Sequence, residues 1–451
     1  MVAFLYRALW AVARVSWRPA RLLMARSGKL ARALAGRFEA ANALAAWAAG
    51  GRDASRPLVW FHAASVGEGL QAQAVLERLR QARPSWQIVY THGSASAEQL
   101  ARSLPADFAG YLPADTVADT SLALDAVRPT ALVFSATDLW PELVRQAAQR
   151  GVRLGLISAT LAPTSSRRSA LARALLGPAY AALERVGAID AEDARGLEGL
   201  GVRPAAITVT GDTRHDAAAA RASAVERGGP LIAALRGEAS VLVAGSVWES
   251  DERVLLPAVA ELRGSGALRL VIAPHEPTPS RLTELERRLT STLGRVRLVR
   301  LTALEHAIAG LAAGAPSAPM SHQPPADPWD VCVVDRLGVL AQLYAAASVA
   351  YVGGGFHAAG LHAVIEPAAM GVPVLFGPRW RSSRDARLLL ARGGGRSVAD
   401  RHALAAALRE WLANDEARAA AGAAARAVVD TGVGAADRSL QLVLALVERP
   451  A

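Results

Sequence analysis

Residues 58–82 read LVWFHAASVGEGLQAQAVLERLRQA. An apolar run of strand length leads into a turn of small residues holding Gly67, and a helical pattern follows from Glu68 to about Ala82. This is a strand–turn–helix unit, and the same grammar recurs downstream. QIVYTHGS (87–94), ALVFSAT (131–137), RLGLISA (153–159), VGAID (186–190) and ITVTG (207–211) read as further strands, with helix-like stretches between most of them. Runs that are apolar throughout, without alternation, belong to parallel sheets covered by helices on both faces.

Around 216–234 the pattern breaks into AAAARASAVERGGP, which reads as a domain connection. A second series then begins: SVLVAGS (240–246), LRLVIAP (268–274), VRLVRL (296–301), DVCVVD (330–335), SVAYVGGG (348–355) and VPVLFG (372–377). LAAGAPSAPMSHQPPADP (311–328) is too rich in Ala, Pro and Ser to bury a core and is expected to be a mobile loop. An Ala/Arg-rich helical region, 402–447, closes the chain. Two α/β halves are expected, at 31–222 and 223–451, behind a distinct segment 1–30.

Composition agrees. A chain of 451 residues is too long for one ordinary core. With 52% hydrophobic and 20% charged residues, most of it should be folded. The balance is basic, 50 Lys+Arg against 40 Asp+Glu for a net +10, and Lys29 is the only lysine. Such an excess suits acidic partners: nucleic acid, anionic lipid or phosphorylated substrates. A single cysteine, Cys332, excludes an intrachain disulfide framework and a Cys-based zinc site. In residues 1–30 the apolar positions are interrupted by Arg7, Arg14, Arg18, Arg21 and Arg26, so no uncharged run reaches the roughly 18 residues of a spanning helix. Arg and Trp mixed with Leu fit a helix lying in a membrane interface, its guanidinium groups on lipid phosphates. The alternative is an ordinary amphipathic helix docked on the body.

In open parallel sheets, ligands bind beyond the carboxyl ends of the strands. FHAASVGE (61–68) places Glu68 in a first helical turn, where the helix dipole lowers a carboxylate's pKa. There it either accepts a proton or stabilises its own helix. SATDLWPELV (135–144) offers Asp138 as the cap of the next helix, and TGDTRHD (210–216) offers Arg214, able to reach an anionic group. Each is also readable as a capped turn.

In the second half, AGSVWESDE (244–252) begins an acidic helix and IAPHEP (272–277) puts His275 and Glu276 at a strand end. Gly338 in DRLGVLAQLY (335–344) stands at an expected helix start that suits a phosphate. YVGGGFHAAGLHAVIEPAAMGVPVLFGP (351–378) is the most demanding pattern. Its triple glycine, Gly353 to Gly355, allows close backbone approach to a ligand, and His362 and Glu366 are spaced to share a helix face. No P-loop, HExxH or GxSxG motif occurs, the histidines lack metal-ligand spacing, and no basic stripe interleaved with aromatics favours nucleic acid.

Taken in order, FHAASVGE, the LWPE turn, TGDTRHD, AGSVWESDE, APHE, DRLGVLAQLY and the Gly-rich segment resemble the 3-deoxy-D-manno-octulosonic acid (Kdo) transferases along nearly the whole chain. The resemblance implies a glycosyltransferase of lipopolysaccharide biosynthesis with GT-B architecture: two Rossmann-like domains facing a cleft, and a membrane-associated N-terminal helix. Kdo would pass from CMP-Kdo to a lipid A precursor with inversion, without a metal, at the cytoplasmic side of a bacterial inner membrane. It further implies Glu68 as general base and Arg214 as transition-state stabiliser. His275 and Glu276, and Gly338, Val339 and Leu340, would contact CMP. Gly354 and Gly355, with His362 to Glu366 (Ala363, Val364 and Ile365 between them), would complete the nucleotide site. Many members have Glu-Thr-Glu-Leu-Trp-Pro where this chain has Ala136-Thr137-Asp138-Leu139-Trp140-Pro141, which moves the first glutamate's role toward Asp138. The common His-Asn is His362-Ala363 here. Two other readings are a GT-B enzyme using a UDP-sugar, of the lipid A disaccharide synthase type, and a non-catalytic two-domain binding protein.

Overall fold

The structure, a computed structural model, describes residues 2–23, 28–162, 164–237, 239–263, 268–312 and 329–448. Residues 313–328 of the expected mobile loop, and 24–27 of the basic N-terminal segment, lie outside the described residues.

The chain forms two compact units, one of 1–217 with 432–451 and one of 218–431. The first holds seven parallel strands: β1 (Leu58–Ala63), β2 (Gln87–His92), β3 (Phe108–Tyr111), β4 (Ala131–Ser135), β5 (Arg153–Ala159), β6 (Arg185–Ala188) and β7 (Ile207–Val209). Their order, β3-β2-β1-β4-β5-β6-β7, turns direction between β1 and β4. The carboxyl ends of those two strands therefore form the switch point where doubly wound sheets bind ligands. β1, β2 and β4 are buried along their whole length, which is why they read as unbroken apolar runs.

The second unit repeats the plan with β8 (Ser240–Val247), β9 (Leu268–Pro274), β10 (Leu298–Arg300), β11 (Val331–Val333), β12 (Val349–Val352), β13 (Val374–Phe376) and β14 (Gly395–Ser397), all parallel. The order is β10-β11-β9-β8-β12-β13-β14, with the switch point between β8 and β12. Both units are Rossmann-like. At the carboxyl ends of three strands a non-glycine residue takes a left-handed backbone: Ala136 after β4, Ser158 in β5 and Ser246 in β8. Such strain persists where the surrounding packing imposes it and gathers at functional sites.

Three expectations are corrected. The expected connection at 216–234 does contain the boundary between the units, at 217/218, but it is helical and not a break in the pattern: Thr213–Ala224 and Pro230–Arg236 are helices, as alanine's helix propensity favours. The closing region is three helices, and the last, Ala435–Val447, belongs to the first unit. It buries Leu440, Val443 and Leu446 against Val59, Val133 and Ile157 of the first sheet. Buried Asp216 takes the N–H groups of Gly434 (2.9 Å) and Ala436 (3.0 Å) at that helix's start, so the last residue of TGDTRHD serves the fold.

Two of the N-terminal arginines, Arg7 and Arg14, are the third; the side chains of Arg18, Arg21 and Arg26 lie outside the described residues. Val2–Leu23 is a helix, but Arg7 pairs with buried Glu142 (2.8 Å) and Arg14 with buried Asp119. The helix instead turns Leu5, Leu9, Val12 and Val15 outward, each at least 60% exposed. These positions fall on one helical face. No described helix is long and apolar enough to cross a membrane.

Candidate active site

At the end of β1, Ser65 caps the helix Val66–Ala82. Its hydroxyl accepts the Glu68 N–H (3.4 Å), and the Glu68 carboxylate accepts the Ser65 N–H (3.0 Å), a reciprocal capping box. Ser135, ending β4, donates its hydroxyl to the Glu68 carbonyl (3.1 Å) and ties the two strand ends together. Glu68 therefore does stabilise its own helix. Its carboxyl, however, is raised above the ordinary glutamate value, first by burial and then by the Asp138 charge, with the Ser65 bonds and His62 only partly opposing. The expected lowering by the helix dipole is outweighed, and a raised carboxylate is the stronger base.

Asp138 does not cap the following helix. That helix, Pro141–Gln149, has Trp140 at its N-cap with no side-chain cap, and buried Asp115 takes the N–H groups of Glu142 (3.0 Å) and Leu143 (2.8 Å) instead. Asp138 faces Arg167 (3.4 Å) and His62 (3.9 Å). Burial alone would raise its carboxyl, but His62, Arg167 and Arg37 outweigh that and hold it below the usual aspartate range. Glu68 and Asp138 are thus a pair of carboxylates driven in opposite directions, the pattern that separates proton acceptor from fixed charge.

Arg214 lies in the first turn of Thr213–Ala224 and is oriented by Asp212, which accepts its Nε (2.9 Å) and one terminal nitrogen (2.5 Å). Gln71 donates to the same carboxylate (3.0 Å). Asp212 is buried, yet Arg214 keeps its carboxyl below the usual range. The arginine is an oriented cation on the same helix start as His215, which is buried.

The second unit gathers what the sequence scatters. Trp248, after β8, lies flat between His275 (centroids 4.3 Å, 22°) and His357 (4.0 Å, 1°), and donates its indole N–H to Nε2 of His362 (2.9 Å). Burial, then the neighbouring His275, lower the His362 pKa, against the opposing charge of Asp251. His362 precedes the short helix Ile365–Ala369, so it does not share a helical face with Glu366. Glu366 turns to Arg221 (3.3 Å), and burial raises its carboxyl. His275 and Glu276 line a cavity of about 400 Å³ with Trp248 and Arg281, whereas Gly338 lines another, of about 490 Å³, with Arg221.

Side chains of Val339, Val364 and Ile365 are buried in the core and Leu340 packs against it, so they can serve a ligand only through their main chain. Ala363 is exposed. The triple glycine answers to protein backbone: a Cβ on Gly353 would collide with the Ser246 carbonyl, and one on Gly355 would sit 2.5 Å from the Gly377 nitrogen. Gly354 has φ +88° and donates its N–H to Asp251 (2.8 Å). Among the described residues, no group of three or more His, Cys, Asp or Glu is placed to hold a metal ion.

Residues 32–217 match a family model described as 3-deoxy-D-manno-octulosonic-acid transferase (kdotransferase). The transferase of that name from Bordetella pertussis is 31% identical over 396 residues, covering 85% of this chain and 86% of that protein. The chain belongs to the Kdo transferase family. The Chlamydophila psittaci transferase is 29% identical over 75% of this chain and 74% of its own, and that of Haemophilus influenzae 23% identical over 87% of each. Among solved structures, a putative UDP-N-acetylglucosamine 2-epimerase from Listeria monocytogenes superposes with a TM-score of 0.59 at 15% identity, covering 88% of this chain and 98% of that one. That likeness shows a shared fold, and two parallel Rossmann-like units in one chain are the GT-B arrangement expected of Kdo transferases.

Against the family pattern, Ala136 carries no carboxylate; it takes a left-handed backbone two residues before Asp138, whose charge acts on Glu68. Sequence reasoning missed Trp248, His357 and Asp251. WESD read as an acidic helix start, and nothing in that run announces partners a hundred residues away.

Proposed function

We propose that this Kdo transferase moves Kdo from CMP-Kdo to a lipid A precursor with inversion at the anomeric carbon. The observation that carries the reading is Glu68 at the first sheet's switch point, its carboxyl raised beside an ionised Asp138. Glu68 takes the proton of the acceptor hydroxyl as that oxygen attacks the anomeric carbon and the bond to the CMP phosphate breaks. One displacement inverts the centre. Arg214, oriented by Asp212, balances the charge developing on the leaving phosphate, and Asp138 sets the field at the base.

In the second unit, His275, Glu276, Gly338 to Leu340, Gly354, Gly355 and His362 to Glu366 form the donor's nucleotide site. Val339, Leu340, Val364 and Ile365 act through their main chain, and Glu366, which pairs with Arg221, takes the ribose hydroxyls. Incubating the protein with CMP-Kdo and a tetraacylated lipid A precursor should give a product heavier by Kdo in mass spectra. Transfer from a UDP-sugar instead, or tighter binding of UDP than CMP, would contradict the reading.

The exposed face of Leu5, Leu9, Val12 and Val15 supports attachment of the N-terminal helix to the cytoplasmic surface of the inner membrane through apolar side chains, Arg7 and Arg14 being paired with Glu142 and Asp119. Leu9→Glu with Val12→Glu should lower binding to anionic vesicles by about tenfold or more. Unchanged co-sedimentation would refute this attachment.

A further inference from the structure

A continuous series of contacts joins the N-terminal helix to the Glu68 turn, and the reading above leaves it without a purpose. Tyr6 donates its hydroxyl to Asp115 (2.7 Å), the same carboxylate that holds the start of the helix after Trp140. Trp10 sets its ring edge-on to Trp140, with centroids 6.1 Å apart at 67°. Arg37 is buried; its guanidinium lies 3.7 Å over the Trp140 ring and 5.1 Å from that of Trp10. Its Nε has no hydrogen-bond partner, and one terminal nitrogen reaches the Pro113 carbonyl at 3.3 Å. Stacking on the indole is what such a poorly hydrogen-bonded buried cation has to hold it. Asp115 and Asp138 supply the opposing charge nearby.

Trp140 passes this hold onward. Its indole N–H donates to Nε2 of His62 (3.2 Å), while Nδ1 of His62 meets the Thr91 carbonyl at 3.0 Å. A carbonyl only accepts, so the Nδ1 position carries the proton and Nε2 is the acceptor. His62 is fully buried in β1, and Nε2 is the atom that lies 3.9 Å from the Asp138 carboxylate. Were Nε2 protonated, that gap would close into an ion pair and the Asp138 charge would be spent on it.

The geometry points to Trp140 and His62 as positioning residues that keep the imidazole proton away from Asp138, so that His62 adds no positive charge to those of Arg167 and Arg37 and Asp138 keeps its negative charge beside Glu68, with Trp10 holding Trp140 in this pose through Arg37. The groups facing Glu68 are then Asp138, His62 and the buried phenol of Tyr90, which burial keeps protonated. Those facing Asp138 are His62, Arg167 and Arg37. The inference rests on Glu68 acting as the base, but half of its test does not.

The test uses the full chain in lipid vesicles. Long-range ¹H–¹⁵N spectra of ring-labelled histidine, assigned with His62→Gln, report which nitrogen of His62 is protonated. In the wild type this should be Nδ1. Trp140→Phe should add a proton at Nε2, move the acid limb of the kcat/KM–pH profile for Kdo transfer down by about one pH unit, and lower the plateau severalfold. Trp10→Ala, which changes a half-buried surface-helix residue, should move both readouts the same way by less, and it carries the test should Trp140→Phe fail to fold. An unchanged tautomer, or a fall in rate with the acid limb in place, would overturn the inference. Ring spectra that respond as expected in a protein that transfers no Kdo would uphold the proton placement and refute the proposed activity instead. Normal transfer with unresponsive ring spectra would refute the inference alone.

Discussion

Two turns of the molecule are built to one plan. In each, a central strand ends, an N-cap residue follows, and the third helical residue is acidic: Ser65 and Glu68 after β1, Trp248 and Asp251 after β8. Both carboxylates accept their own N-cap N–H, at 3.0 Å and 2.9 Å. There the likeness stops. Asp251 is fully buried and also takes the Tyr351 hydroxyl (3.0 Å) and the N–H groups of Gly354 (2.8 Å) and Phe356 (3.4 Å). It is a strut that fixes the Gly-rich loop. Among the described residues Glu68 takes no donor from outside its capping box; it is partly exposed and has Asp138 as a like-charged neighbour. Position in the helix thus says little about an acid's task, and the supply of donors says much: a carboxylate saturated with donors has no lone pair left for chemistry.

Breaking each acid separately should show this. Glu68→Gln keeps an oxygen for the capping box and should lower the rate of Kdo transfer by about 10²–10⁴-fold, with CMP affinity by calorimetry unchanged. Asp251→Ala strands three N–H groups, that of Gly354 buried and those of Trp248 and Phe356 partly so, and the buried Tyr351 hydroxyl, and should destabilise the protein by about 2–5 kcal/mol in urea titrations, lowering CMP affinity as the loop loosens. If Asp251→Ala left stability untouched while Glu68→Gln unfolded the protein, the assignment would be reversed.

The smallest effect concerns pH and stability. A carboxyl raised in the folded state binds protons more tightly there than in the unfolded chain. Glu68 therefore costs stability as pH rises from its unfolded value through its folded one. Glu68→Gln should remove that loss, leaving the variant slightly more stable than wild type above this window and equal to it below. A variant less stable at neutral pH would mean the capping box matters more than the buried charge.

The two α/β halves were legible because β1, β2, β4 and β8 are covered on both faces, leaving long apolar runs. The order of short motifs carried the family. What was not legible depends on partners distant in sequence. The need for Gly353 and Gly355 arises from the backbones of Ser246 and Gly377. Asp216 looked like part of an anion-binding motif because the helix it holds starts at Ala435. Arg7 and Arg14 looked lipid-facing until Glu142 and Asp119 were seen beneath them. The Glu68 pKa went astray for a related reason: the dipole of its own helix is local and visible, whereas burial and Asp138 come from β4's far end.

The central claim, that Glu68 and not another carboxylate takes the acceptor's proton, is tested most directly by the pH dependence of kcat/KM for Kdo transfer. The account predicts an acid limb governed by one group above the ordinary glutamate range, and no such limb in the residual activity of Glu68→Gln. A limb at the ordinary carboxylate value, or one that persists unchanged in that variant, would contradict it.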